Sequence, residues 1–220
     1  GWPLLAREMP VLLRGIVHVE CAEEDKHLSG TFGEVPGALY LSWTSNVHVL
    51  REALVHEAFH TRLNLMLDGV DVRPFSGSPL FWAPWRFSQR PTVAFVHGVY
   101  ATLGMFRYNA TVVRQRTGAP WQEKLATHWI RLELARWQWN ESVAVIDTVH
   151  PIAQVWRDVD EALEAFAPLA PVLMDDLLVV CAGERGEIHR ALRDGIVTGS
   201  VAARCLNGLD AVVRRFLGGP

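Results

Sequence analysis

The sequence is poor in lysine and cysteine and has no basic tract. Its 220 residues include three cysteines, and Lys26 and Lys124 are the only lysines. The three cysteines, Cys21, Cys181 and Cys205, form no CxxC pair, so they fit neither a disulfide framework nor a thiolate zinc site. We expect them to be inert core thiols. The net charge of -3 comes with no nucleic-acid-binding signature, which argues against a nucleic acid partner.

No apolar run in the sequence is long enough to span a membrane. The N-terminal stretch GWPLLAREMPVLLRGIV contains Arg7, Glu8 and Arg14, so it does not read as a signal peptide. We therefore expect a cytoplasmic protein without a membrane segment. Hydrophobic residues make up 50% of the chain and charged residues 20%, as in soluble globular proteins, and the length suits one domain over residues 1–220.

Most of the chain has the periodicity of helices, with apolar residues recurring at three and four positions. Ser45 is a good N-cap for a helix over residues 46–67. Residues 36–43 suggest a short strand, residues 20–35 an exposed loop, and the proline- and glycine-rich residues 69–91 a functional loop. Further helices are predicted over residues 92–116, 121–147, 151–166, up to 181, and 187–217 with breaks near Gly195 and Gly208. The predicted fold is mainly α, with a short N-terminal extended segment.

The stretch VHEAFH, residues 55–60, lies inside the first long helix. Residues i and i+4 share one face of a helix, so His56 and His60 can place two imidazole nitrogens on one ion, with Glu57 beside it. Zinc peptidases use this geometry, and their glutamate takes a proton from metal-bound water. The simpler alternative is a pair of hydrogen-bonded histidines on a half-buried helix.

The identity of the third metal ligand distinguishes the classes of metal site that this stretch could form. Peptidases with a third histidine six residues further on are excluded, because this chain has Met66 there. Peptidases that take a glutamate from a later helix could use Glu133 or Glu141. His97, in the second long helix, is the competing ligand, and its alternative interpretation is a buried helix histidine.

With HEAFHTRLN, FWAPWR and HGVYA in this order, residues 36–109 resemble a known family. It is the HExxH-motif family of Fe(II)- and 2-oxoglutarate-dependent peptide β-hydroxylases, which act on ribosomally made peptides. Its pattern is a leucine-asparagine pair, then an aromatic-Ala-Pro-Trp-Arg loop, then His-Gly-Val-Tyr. The matching residues cover about a third of the chain, a far more specific signal than HExxH alone.

The resemblance implies an oxygenase with Fe(II), 2-oxoglutarate and O2, and with His56, His60 and His97 as metal ligands. The metal site is then expected between the two long helices. The implied substrate is a β-carbon of a residue in a ribosomally synthesised precursor peptide, and a radical SAM maturase from the same gene cluster is an expected partner. A zinc metallopeptidase with a glutamate as third ligand remains the alternative. Glu57 is the candidate catalytic residue, as the base of the peptidase and, in the oxygenase, as a residue that lies near the metal without binding it.

Other candidate residues follow from the chemistry of the cosubstrate and the substrate. The distal carboxylate of 2-oxoglutarate needs a cation, and the guanidinium groups of Arg86 and Arg90 are candidates. Tyr100 could hydrogen-bond the cosubstrate or be a packed core tyrosine, and Asn64 could orient a metal ligand. Trp82 and Trp85 could bind the peptide, whereas most other tryptophans and the remaining histidines of the later helices are expected to be structural.

Overall fold

The computed structural model describes residues 2–20, 27–75, 80–115, 119–142 and 150–218. The chain divides into two compact units, Gly1–Asp71 and Val72–Pro220, and each is described by itself. Both units contain long helices and short strands, so the predicted mainly α fold is confirmed. The division alone does not decide whether the units fold together, and the single domain over residues 1–220 stays a prediction.

The first unit combines a small sheet with two helices. The sheet has the strand order β1 (Gly15–His18), β3 (Ala38–Leu41), β2 (Ser29–Thr31), in which β1 is parallel and β2 antiparallel to the central β3. Strand β3 is the strand predicted over residues 36–43, while β2 corrects the prediction that residues 20–35 form only a loop. The elements are α1 (Trp2–Leu12), β1 (Gly15–His18), β2 (Ser29–Thr31), β3 (Ala38–Leu41) and α2 (Val47–Leu67).

Helix α2 carries the HExxH stretch and lies against β3. Its N-cap is Asn46, not the predicted Ser45: the Asn46 side-chain oxygen accepts hydrogen bonds from the backbone N–H of His48 at 3.1 Å and of Val49 at 3.4 Å. Asparagine is as good a cap as serine, so the sequence did not discriminate between neighbours. The apolar contact between α2 and β3 consists of Leu39, Leu41 and Ala53, with Leu13, Leu50 and Leu54 packed around them.

The second unit is a helical assembly with one β-hairpin. The hairpin corrects the prediction that residues 69–91 form a loop, because β4 and β5 pair in antiparallel register from Leu80–Pro91 to Ala83–Ser88. Each strand has four residues, too few for a period-2 pattern to stand out. The elements are β4 (Leu80–Ala83), β5 (Ser88–Pro91), α3 (Thr92–Gln115), α4 (Ala119–Ser142), α5 (Pro151–Phe166), α6 (Met174–Arg193), α7 (Gly199–Phe216) and the 3-10 helices Arg73–Phe75 and Ala167–Leu173.

The helices predicted over residues 92–116, 121–147 and 151–166 are confirmed with shifted ends, whereas the predicted interruption between residues 181 and 187 is wrong, because α6 continues through it to Arg193. Residues 143–147 of the helix predicted to follow residue 121 lie outside the described residues. The chain turns at Gly195, where φ is +71°, but it does not break at Gly208. Gly208 lies inside α7, where a Cβ atom would come within 2.7 Å of the Trp137 ring, so a close helix contact requires glycine there.

Aromatic rings form much of the core of the second unit. The stacked pairs Phe81–Phe95, Phe81–Trp139 and Trp139–Trp156 have centroid separations of 4.5, 5.9 and 4.7 Å. Trp129 is also buried, as predicted for the tryptophans of the third long helix. These rings bury large apolar areas and link the hairpin to α3, α4 and α5.

Two of the cysteines are core thiols, as predicted. Cys181 and Cys205 are buried and free. Burial raises the pKa of Cys181 to about 11 and that of Cys205 to about 12, so neither is a reactive thiolate at neutral pH. Cys21 lies outside the described residues.

One helical stretch among the described residues, Pro151–Arg193, has the length and composition of a membrane span, with a mean hydropathy of 1.8 in its most apolar window. Core helices of soluble proteins and signal sequences share both properties, so this stretch does not identify a membrane protein. The 3-10 turn over Ala167–Leu173 interrupts it, and Asp175 and Asp176 lie in the first turn of the following helix, α6.

Glu133 links α4 to α7. Its side chain is 3% exposed, and its two carboxylate oxygens accept hydrogen bonds from Arg136 at 2.6 Å and from Arg215 at 2.7 Å. Both oxygens of this candidate zinc ligand are therefore held by guanidinium groups.

We expect Glu133→Ala to lower the free energy of unfolding by about 2 kcal/mol, because it leaves two arginines without their buried partner. Urea denaturation measures the change. The matched control is Glu141→Ala, an exposed glutamate on the same helix, for which we expect a change within about 0.5 kcal/mol. Equal effects of the two substitutions would contradict a structural role of Glu133.

Candidate metal centre

His56 and His60 face each other on one side of α2. Their Nε2 atoms are 3.0 Å apart, and the rings meet at 79° with centroids separated by 4.6 Å. Both side chains are half-buried. Among the described residues, no group of three or more His, Cys, Asp or Glu side chains is arranged to hold a metal ion. The helix therefore offers two nitrogens directed at one point, an arrangement that suits a shared ion and also an N–H···N hydrogen bond.

Glu57 points to strand β2. Its side chain is 2% exposed. One carboxylate oxygen accepts a hydrogen bond from the Ser29 hydroxyl at 2.7 Å, and the other accepts one from the Thr31 hydroxyl at 3.1 Å. Consecutive helical residues point about 100° apart, so the residue after a ligand can face the sheet. Each oxygen therefore accepts one hydrogen bond from β2, and the catalytic role of Glu57 stays a prediction.

Ser29 and Thr31 are the residues that the sequence analysis missed. They lie 28 and 26 positions before Glu57, with no motif to connect them. Two hydroxyl residues at i and i+2 point to the same face of a strand, and this alternation is the one signal that could have marked them.

His97 lies on α3 in the second unit, directly before Gly98. It is half-buried, and burial lowers its pKa. A lowered pKa favours the neutral imidazole, which is the form that binds metals. His97 belongs to a different unit from His56 and His60, and its place in their ligand set stays a prediction.

The loop and helix motifs of the resemblance meet inside the second unit. Residues 84–87 form the turn between β4 and β5, and the Trp85 ring stacks on Phe95 with a centroid separation of 5.5 Å. The same ring lies so close to Gly98 that a methyl group there would overlap it. The hairpin turn is thus packed on α3 next to His97, which explains why a glycine follows the histidine.

Arg86 and Arg90 are exposed on the hairpin. The backbone N–H of Arg86 closes the turn by donating to the Ala83 carbonyl at 2.9 Å, and Arg90 pairs with Phe81 in the sheet register. Neither guanidinium has a hydrogen-bond or ion-pair partner within the described part of the chain. Both cations are therefore available to an anion.

Tyr100 is fully buried in α3. Its hydroxyl donates to a carboxylate oxygen of Asp158 at 3.3 Å, and the other oxygen of Asp158 accepts a hydrogen bond from Gln154 at 2.7 Å. This is the packed core tyrosine that the sequence left open as an alternative. Its predicted contact with the cosubstrate has no support in this position.

Trp82 is also fully buried, and its backbone exchanges two hydrogen bonds with the Gln138 side chain, at 2.8 and 3.1 Å. Its ring packs inside the second unit rather than lining a surface groove, whereas Trp85 is half-buried. Asn64 lies one turn after His60 and is half-buried, and its predicted role as an orienting residue stays a prediction.

We expect Gly98→Ala to destabilise the protein by about 2 kcal/mol, because the added methyl group displaces the Trp85 ring from α3. Denaturation gives the size of the effect, and the shifted NMR signal of the Trp85 indole N–H gives its location. Gly183→Ala is the matched control, since a Cβ there meets nothing within 4 Å and we expect it to be neutral or stabilising. Equal stability of the two variants would show that Trp85 does not pack on Gly98.

Neither a scan against models of protein families nor a search of the curated proteins finds a match for this chain. The relation to the peptide β-hydroxylases therefore stays a resemblance in motifs.

Proposed function

We propose that this protein is an Fe(II)- and 2-oxoglutarate-dependent oxygenase that hydroxylates a β-carbon in a ribosomally synthesised precursor peptide. The observation that carries the proposal is the His56–His60 pair, whose two Nε2 atoms converge at 3.0 Å. The order of the HExxH, APWR and HGVY motifs supports the choice of reaction.

The separation of the two nitrogens is compatible with a shared metal ion. Two imidazole nitrogens at about 2.1 Å from one metal lie about 3.0 to 3.4 Å apart, depending on the angle that they subtend. The observed 3.0 Å lies within that range and also suits a hydrogen bond between the two rings, so the choice of Fe(II) over zinc rests on the motifs of the resemblance.

The peptidase alternative has less support from the described residues. Glu57, its general base, accepts hydrogen bonds from Ser29 and Thr31 through both oxygens. Glu133, one of its two candidate third ligands, is bound by Arg136 and Arg215. Glu141 remains available at the exposed end of α4.

In the proposed reaction the residues of this chain bind the metal and orient the cosubstrate. Fe(II) bound with 2-oxoglutarate and dioxygen supplies the oxidant that converts the substrate C–H into C–OH, while 2-oxoglutarate leaves as succinate and carbon dioxide. His56 and His60 would hold the metal through Nε2, and we propose His97 as the third ligand. Three protein ligands would leave room on the ion for the oxo acid and for dioxygen.

The exposed guanidinium groups of Arg86 and Arg90 are proposed to bind the distal carboxylate of 2-oxoglutarate. A planar guanidinium makes two parallel hydrogen bonds to a carboxylate, which also sets its orientation. The packing of Trp85 on Gly98 brings the turn that contains Arg86 close to α3, the helix that carries His97.

Anaerobic reconstitution with Fe(II) and 2-oxoglutarate is expected to produce the visible charge-transfer band of a chelated oxo acid. We expect His60→Ala and His97→Ala to abolish the band, because each removes a ligand, and His189→Ala, an exposed histidine on α6, to retain it. On a co-encoded peptide, the product should gain the mass of one oxygen atom. A cleaved peptide formed by the zinc-loaded protein would establish the peptidase instead, and an unchanged band in His97→Ala would remove His97 from the ligand set.

A titration with 2-oxoglutarate tests the arginines separately. We expect Arg86→Ala or Arg90→Ala to weaken binding on the order of tenfold or more, with only partial recovery in the lysine variant, because lysine cannot form the two parallel bonds. Arg193→Ala, an exposed arginine at the end of α6, is the control. Unchanged affinity in both hairpin variants would show that the hairpin does not bind the cosubstrate.

A further inference from the structure

Within the described part of the chain, the buried Glu57 carboxylate has no cation paired with it. Its side chain is 2% exposed, and its hydrogen-bond donors are two neutral hydroxyl groups, those of Ser29 and Thr31. Burying a charged carboxylate costs free energy even when neutral hydroxyl groups partly compensate it, so a glutamate at this position next to His56 suggests a role for its two hydrogen bonds. Glutamine could accept and donate in the same space without the charge penalty.

The two hydrogen bonds span separate elements of the first unit. Ser29 and Thr31 are the ends of β2, and β2 pairs with β3, whose Leu39 and Leu41 pack on α2. Helix α2 is therefore held to the sheet by apolar contacts with β3 and by two charge-assisted hydrogen bonds to the edge strand. Apolar contacts tolerate small rotations of a helix, whereas hydrogen bonds fix the direction of a side chain.

We propose that Glu57 is a positioning residue that sets the rotation of α2, and with it the direction of His56 and His60, by binding strand β2. Glu57 and His56 are consecutive, so fixing one fixes the other about 100° around the helix. A small rotation of α2 would move both imidazoles together, and outer groups that orient metal ligands typically change metal affinity by about 10- to 100-fold. This role deepens the proposed function and rests on it.

The test compares three ways of changing the contact. Glu57→Ala removes it, and Ser29→Ala with Thr31→Val removes the donors and keeps the carboxylate. Glu57→Gln keeps the shape and both contacts, with one hydrogen bond reversed, because the amide oxygen accepts from one hydroxyl and the amide N–H donates to the other. The matched control is Thr61→Val, one turn after Glu57, because its buried hydroxyl has no hydrogen-bond partner among the described residues. Glu34→Gln, an exposed glutamate beyond β2, controls for charge.

The first readout needs no metal. In the metal-free protein, we expect Glu57→Ala and the Ser29/Thr31 double variant to increase the rate of hydrogen exchange of the backbone amides of β2 about tenfold. Glu57→Gln and both controls should have rates close to that of the unsubstituted protein.

The second readout is the Fe(II) affinity and kcat. Both should fall about tenfold or more in the first two variants, with KM for 2-oxoglutarate little changed and with recovery in Glu57→Gln.

Two results would overturn the proposal. One is a loss of activity in Glu57→Gln equal to that in Glu57→Ala, while hydrogen exchange of the β2 amides is unchanged in both variants. A proton-transfer role of Glu57 explains that pattern. The other is a Ser29/Thr31 double variant that behaves like Thr61→Val. Failure of the oxygenase assignment is distinguishable from both, because the charge-transfer band is then absent from the unsubstituted protein while the exchange of β2 still reports the contact.

Discussion

A carboxylate that leaves water needs hydrogen-bond donors, and the arrangement of the first unit depends on how Glu57 satisfies this requirement. It finds its donors on β2, the edge strand of the small sheet, through Ser29 and Thr31. The helix cannot then turn freely on its apolar contact with β3. The histidines before and after Glu57 in the HExxH stretch take their direction from this constraint.

The second unit depends on a different contact, the packing of the hairpin turn against α3. The hairpin turn has to lie flat against α3, and the Trp85 ring does so over Gly98, where any side chain would collide with it. The stack continues through Phe95 and Phe81 to Trp139 and joins the hairpin to α4. Tryptophans that suggest a peptide-binding surface by their number are therefore largely engaged in packing.

Several features of the fold could be predicted because they depend on local patterns. The helix over residues 92–116 ends within a residue of α3, and the helix after Pro151 coincides with α5, since proline and apolar periodicity mark both. The hairpin over residues 80–91 was missed, because strands of four residues between prolines and glycines carry little periodicity. The break predicted at Gly208 was wrong for a tertiary reason: that glycine accommodates the Trp137 ring of α4 and does not end a helix.

The candidate site divides in the same way. Its local part is a pair of histidines on one helical face with a glutamate that points about 100° away. This part follows from the 3.6-residue repeat and could be derived from the amino-acid sequence alone. The partners of that glutamate are more than twenty positions away on a strand too short to be recognised. The periodicity of the chain is enough to show which side chains share a face of α2. The hydrogen bonds of Glu57 to the hydroxyl groups of β2 follow from the fold alone, because long-range contacts depend on how the sheet and helix pack and leave no periodic trace in the chain.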